Sequence, residues 1–212
     1  MFDIEYKGGN GVVIATKKLN AVIDPKLSVV GLKDLNVKDA VEIATEARFA
    51  SGSNEVQLPI EGPGDYEIGS FSIKGVAAIR HLDTSADEKV ATVYRIEVGD
   101  VRIALLGNIA AKLEEDQLEA LGLVDILILP VGGGGYTLDA TSAASLVRQI
   151  DPKVVIPTHY ADSGLAYEVP QDTLDMFVKE LGAPVETVVK YKVKAASSLS
   201  PTLTVVEVTR TS

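Results

Sequence analysis

Two histidines, His81 and His159, are the only imidazoles in this 212-residue chain, and there is no cysteine. Both follow apolar stretches, "FSIKGVAAIR" and "KVVIPT", where a strand hands over to a loop, and loops at strand ends carry most chemistry in such folds. Without thiolates, a metal would rest on His, Asp or Glu, and two imidazoles fall short of the three protein ligands usual in catalytic zinc sites. Other polar residues at strand ends are Thr45-Glu46-Ala47-Arg48, Asn108 after "VRIALLG", and Thr158-His159-Tyr160. Gly132 to Gly135 offers successive backbone N–H groups, yet no Lys-Ser/Thr follows and the spacing of a dinucleotide fingerprint is missing. A turn is the favoured reading of that run. No G-x-S-x-G elbow supports a serine triad.

The elements that must position these residues read in two styles. Before Gly107, short β segments ("FDIEY", "GVVIAT", "NAVID", "DAVEIAT", "FSIKGVAAI", "ATVYRIEV", "VRIALLG") are punctuated by turns, with Gly99-Asp100 as a hairpin signal. An antiparallel sheet is expected there. After Gly107, "KLEEDQLEALG", "TLDATSAASLVRQI" and "VPQDTLDMFVKELG" read as helices, Gly122 and Gly182 closing the first and last, with Pro170 near the start of the last. Between them "VDILILP" and "KVVIP" are continuous apolar runs suited to strands covered on both faces, and "VETVVKYKV" and "PTLTVVEV" add further strands. One α/β domain over residues 1–212, layered helix, sheet, sheet, helix, is expected.

Composition narrows the partners. The net charge of −10 repels a phosphate backbone, so nucleic acid is not expected. The chain is 46% hydrophobic and contains no apolar run long enough to span a bilayer, nor a basic-then-apolar leader. A soluble protein of the cytoplasm, with no membrane partner, is the expectation.

The order of the segments "AVIDP", "GPGDYEIGSFSIKGV", "ATVYRIEVGDVRIALLGN" and "LEEDQLEALGLVDILILPVGGGGYTLDATSAASLVRQIDPKVVIPTHY" resembles the metallo-β-lactamase-fold, Zn-dependent hydrolases. The resemblance implies a four-layer αββα sandwich with a metal cleft between the loops of its two sheets. It also implies where the ligands should be. Glu46 and Arg48 stand in place of the first two histidines of the family's Thr-His-x-His-x-Asp-His motif, and Ala50 and Ser51 replace its Asp-His pair. His81 corresponds to the later histidine, Asn108 to the bridging aspartate, and His159 to the final histidine.

That pattern implies a degenerate site. Arg48 has no lone pair to offer and stays protonated, Ala50 cannot coordinate, and Asn108 brings no negative charge. If the local chain is extended, Arg48 reaches Glu46 or Asp24 and supplies the charge a metal supplies in active relatives. A non-catalytic binding or regulatory protein with no cofactor is the leading expectation. Its cleft of Asp24, Glu46, Arg48, His81, Asn108 and His159 would hold a small anionic ligand or meet a protein partner. The alternative is a hydrolase with zinc or manganese on Glu46, His81 and His159, supported by Asp24 or Asp83. Oligomeric state is not legible.

Overall fold

The computed structural model describes residues 1–83 and 89–211, without the side chain of Asp83. The strands are β1 (Phe2–Gly8), β2 (Gly11–Ala15), β3 (Asn20–Ile23), β4 (Val41–Ile43), β5 (Leu58–Ile60), β6 (Gly64–Ile68), β7 (Phe71–Ala78), β8 (Ala91–Val98), β9 (Val101–Leu105), β10 (Ile126–Pro130), β11 (Val154–Thr158), β12 (Val185–Val188), β13 (Tyr191–Val193) and β14 (Thr204–Val208). Among the described residues, three α-helices join them: α1 (Glu115–Leu121), α2 (Ala140–Ile150) and α3 (Leu174–Leu181).

Two sheets stack face to face. One has the order β13-β1-β2-β3-β4-β5, the other β12-β14-β11-β10-β9-β8-β7-β6. Alternation makes the inner faces: Phe2, Ile4 and Tyr6 point inward from β1 while Asp3, Glu5 and Lys7 point out. These meet Ile73, Ile96, Ile103, Ile128 and Ile156 of the larger sheet in one buried core. The apolar runs of β10 and β11 are buried on both faces, because Leu127, Leu129 and Val155 pack outward under Ala143, Leu146 and Val147 of α2 and Phe177 of α3.

The sandwich and helix layer are as expected, with three differences of detail. The outer face of the six-stranded sheet is covered by Leu35 and Val37 of the β3–β4 crossover, packed on Val13, Val22 and Ala40, so the layer there is a crossover segment and not an α-helix. Strands β3, β4 and β5 run parallel rather than antiparallel. Parallel neighbours need a long crossover, which residues 24–40 provide. Finally, "VETVVKYKV" is two strands, β12 in the larger sheet and β13 in the smaller. The Gly99-Asp100 hairpin joins β8 to β9 as read, with Gly99 at φ +66° and Val98 opposite Val101. No helix among the described residues is long and apolar enough to cross a membrane.

Candidate functional site

Asp24 ends β3 in a left-handed conformation, φ +43°, that brings its carboxylate under the end of β4. Its oxygens accept from the backbone N and the hydroxyl of Thr45, each at 2.7 Å. Burial outweighs these bonds and pushes the Asp24 carboxyl up to about 7.

Directly after Thr45 the chain turns. Glu46 is extended, and Ala47–Phe49 form a 3-10 turn, so Arg48 is not on an extended strand as its pairing by sequence supposed. The turn nevertheless curls its guanidinium back: Nη2 donates to Glu46 Oε1 at 3.1 Å, and Nε lies 2.8 Å from Oε2, an ion-pair contact without hydrogen-bond direction. Glu46, not Asp24, is therefore the hydrogen-bonded partner of Arg48. A second guanidinium, Arg80, reaches Glu46 Oε2 at 3.3 Å. Glu46 is only 3% exposed, and this double cation contact offsets the cost of burying its charge. The Arg48 guanidinium also lies 4.7 Å from the Phe49 ring centre and 5.3 Å from that of Tyr136.

Asn108 follows β9 and is fully buried. Its Nδ2 donates to Glu46 Oε1 at 3.4 Å, a long bond, and its Oδ1 accepts from Asn10 Nδ2 at 3.2 Å. Its carbonyl accepts from the backbone N of His81 at 2.8 Å. That is where His81 joins the cluster. Its ring nitrogen Nδ1 is buried without a partner.

His159 follows β11 at φ +48°, uncommon for a non-glycine residue, pinned by its N–H donating to the Gly9 carbonyl at 2.8 Å. Its ring lies between Tyr136, 5.3 Å away and nearly parallel, and Tyr167, 4.8 Å away and tilted. Burial, helped by the positive charge of Arg48, lowers the imidazole to about 4 and keeps it neutral. The glycine run is a turn: Gly133, Gly134 and Gly135 all have positive φ, and a side chain at Gly132 would overlap the His159 carbonyl.

The structure thus links Asp24, Glu46, Arg48 and Asn108 through Thr45 and direct bonds, adds His159 through the Arg48–Tyr136–His159 stack, and ties His81 in by its backbone alone. Ser51 is held through N and Oγ by Glu42. Glu46, His81 and His159 do not form a metal-holding group, and none of three or more His, Asp or Glu side chains occurs among the described residues. The Asp83 side chain, named as a supporting carboxylate, lies outside what the structure describes. Asn10, Arg80, Tyr136, Tyr167 and Gln171 were not singled out from sequence. Only Asn10, in the "GGNG" turn, and Arg80, beside His81 in "RHLDTS", had any local signal.

A narrow pocket lies beside this cluster, with about 20 Å³ of free volume, and Asn10, Asp24, Phe49, Tyr136, His159 and Gln171 are among the residues that line it. Lys26 and Glu168, both exposed, stand on its rim.

Comparison with known proteins agrees with this architecture. A metal-dependent hydrolase, UPF0173, of Desulforamulus reducens is 22% identical over 191 residues, 74% of this chain and 83% of that protein. A protein assigned as a Zn-dependent hydrolase of the metallo-β-lactamase superfamily from Thermotoga maritima superposes with a TM-score of 0.74 at 21% identity, over 98% of this chain and 100% of that one. Igni18, a metallo hydrolase from Ignicoccus hospitalis, gives 0.61 at 16% identity over 85% and 90%. At these identities the structural likeness is one of fold. The sequence model of the beta-lactamase superfamily domain matches residues 3–159, most of the chain, and this protein therefore belongs to the β-lactamase superfamily.

Proposed function

We propose that this chain is a non-catalytic binding or regulatory member of its superfamily, in which an ionic cluster of protein groups stands where relatives would hold metal. The observation that carries this reading is the occupation of both Glu46 oxygens by Arg48 and Arg80. A carboxylate satisfied by two guanidiniums has little to offer a cation, and Arg48 stays charged at any workable pH and repels one. Asn108, a neutral amide already used on both sides, is not a bridging ligand. The residues present do not fit a pair of divalent ions, and without metal-activated water a hydrolytic step would rest on weak general-base chemistry.

One observation favours a second reading. His159 is held neutral with its lone pair intact, and His81 Nδ1 is buried without a partner, so each histidine retains ligating capacity. A mononuclear hydrolase on Glu46, His81 and His159, in line with the names of the relatives above, would use it. It would require Glu46 to leave its arginines.

Metal analysis separates the two. Protein expressed with added zinc and manganese and then dialysed is expected to carry far less than one equivalent of either. One equivalent that survives dialysis and disappears in His159→Ala would replace the binding reading by the enzymatic one.

A further inference from the structure

Strands β3 and β9 run toward Asp24 and Asn108, and they begin at Asn20 and Val101. The turns that precede them, Thr16–Leu19 and Gly99-Asp100, therefore lie at the far end of the same strands, at the pole of the sandwich opposite the cleft. On β1, Asp3 is opposite Ala15 on one side and Phe2 is opposite Val193 on the other. That register brings Lys17 and Lys18 of the first turn, and Lys194 after β13, to either side of the start of β1. The Thr16 hydroxyl accepts from the N–H of Leu19 at 3.1 Å and donates to the Leu19 carbonyl at 2.6 Å, which closes a tight turn with the two lysines at its tip.

These segments wall a groove with about 590 Å³ of free volume, the size of a small-molecule site. Phe2 and Val98, both buried, give it an apolar floor. Lys17, Lys18 and Lys194 line it, and Asp100 is the one carboxylate among the described residues that do. Asp100 is partly engaged, since its Oδ2 accepts from the Ala196 N–H at 3.2 Å. The three lysines form no ion pair among the described residues, whereas Lys7, Lys153 and Lys190 each meet a carboxylate. On a chain of net charge −10, cations are thus gathered around one recess, where they repel one another until an anion enters between them.

We infer that this groove binds a small organic oxyanion, its charged group met by Lys17, Lys18 and Lys194 and its apolar body laid on Phe2 and Val98. Each feature argues against a simpler occupant. A bare inorganic ion leaves the floor wet, and a neutral apolar molecule leaves the lysines unpaired. A long polyanion is repelled by the rest of the acidic surface. The aliphatic stems of the lysines extend the apolar wall toward the charged group. The site is separate from the cleft and does not depend on whether a metal binds there.

Anilinonaphthalene sulfonate, an oxyanion on an aromatic body, tests this by its fluorescence on the whole protein, and one saturable site is expected. N-phenyl-1-naphthylamine has the same body without the charge, and inorganic phosphate has charge without the body. Each should bind at least about tenfold more weakly than the sulfonate. Replacing the three lysines together (Lys17→Gln, Lys18→Gln, Lys194→Gln) should weaken the sulfonate at least about tenfold and leave the naphthylamine unchanged. The same change of net charge made at Lys33, Lys38 and Lys112, outside the groove, controls for the overall field and should leave the sulfonate within about twofold. All six lysines are exposed, so both triple variants should melt with wild type. No saturable sulfonate site, an equal effect of the two triple variants, a neutral probe that binds as well as the anion, or phosphate that binds as well as the sulfonate would overturn the inference. So would cosedimentation with phosphatidylserine vesicles that the first variant loses, because the lysines would then serve a membrane surface.

Discussion

The amide of Asn108 donates from Nδ2 to Glu46 Oε1 across 3.4 Å while its other end accepts from Asn10. A carboxylate at this position would place two buried acceptors against each other. Asn108→Asp is therefore expected to destabilise the protein by about 3–5 kcal/mol at neutral pH, the range for leaving a buried charge uncompensated. The deficit should shrink in acid as the carboxylates take up protons. Urea unfolding of both proteins at neutral and mildly acidic pH reads it, and equal stability throughout would show that the amide is dispensable.

Removing the head group of Arg48 while keeping its stem leaves Glu46 with Arg80 and Asn108 only. Arg48→Met is expected to cost about 1–3 kcal/mol, discounted because the side chain is 34% exposed. It should also raise the His159 pKa from its value near 4, since the Arg48 charge helps to depress it. Chemical denaturation and an imidazole NMR titration measure the two effects. A His159 pKa that does not move would show that burial alone sets it.

Asp24 and His159 impose opposite pH dependences. The Asp24 carboxyl is raised in the fold, from 3.8 to about 7, so its contribution is fully present below the unfolded value and is lost as pH rises through about 7. Asparagine at this site can accept from the Thr45 N–H and donate to its hydroxyl. Asp24→Asn is thus expected to leave stability near pH 4 within about 0.5–1 kcal/mol and to gain relative to wild type toward neutrality. His159 is depressed in the fold, so its contribution is present above 6.5 and is lost as pH falls through about 4. His159→Gln should weaken that acid-side loss. Unfolding free energies across the range for both variants check the signs.

Away from the cleft, Asp125 is fully buried beside Arg102 and Lys153, with contacts of 2.9 Å to each. Burial alone would raise its carboxyl, but the hydrogen bonds from Arg102 and Lys153 outweigh that and hold it at about 2. Its stabilisation is present above the unfolded value of 3.8 and disappears as pH falls through about 2. Asp125→Asn is expected to cost about 2 kcal/mol at neutral pH and to converge on wild type in strong acid. Parallel curves in acid would contradict this.

Much of this was legible in the residues. The two-sided burial of β10 and β11 follows from their unbroken apolar runs, and the caps at Gly122 and Gly182 and the Gly99-Asp100 hairpin follow from glycine's freedom at positive φ. Pairing partners were less accessible, because strand periodicity tells which face is buried and not which neighbour is bonded. Hence the parallel β3–β4–β5 set and the division of Val185–Val193 between two sheets went unread. Helix α3 begins at Leu174 after Thr173, later than Pro170 suggested, and the chain between is tied elsewhere: Asp172 donates its N–H to the Gly132 carbonyl and accepts from the N–H of Ala161. Asp24, Glu46, Arg48, Asn108 and His159 do gather, but Asn10, Arg80 and Gln171 come from distant segments whose approach only tertiary packing decides.

The strands beyond the family-matched stretch have a mechanical role. In the larger sheet β14 is inserted between β12 and β11, while β13 bonds to β1 of the smaller one, so a short length of chain stitches the two halves at their shared margin. Severing the polypeptide after His159 would strip hydrogen-bond partners from β1 and β11 at once. The cleft loops would then hang from two loosened slabs, and a fragment confined to the recognisable homology should not be able to keep His159 and Asp24 in register.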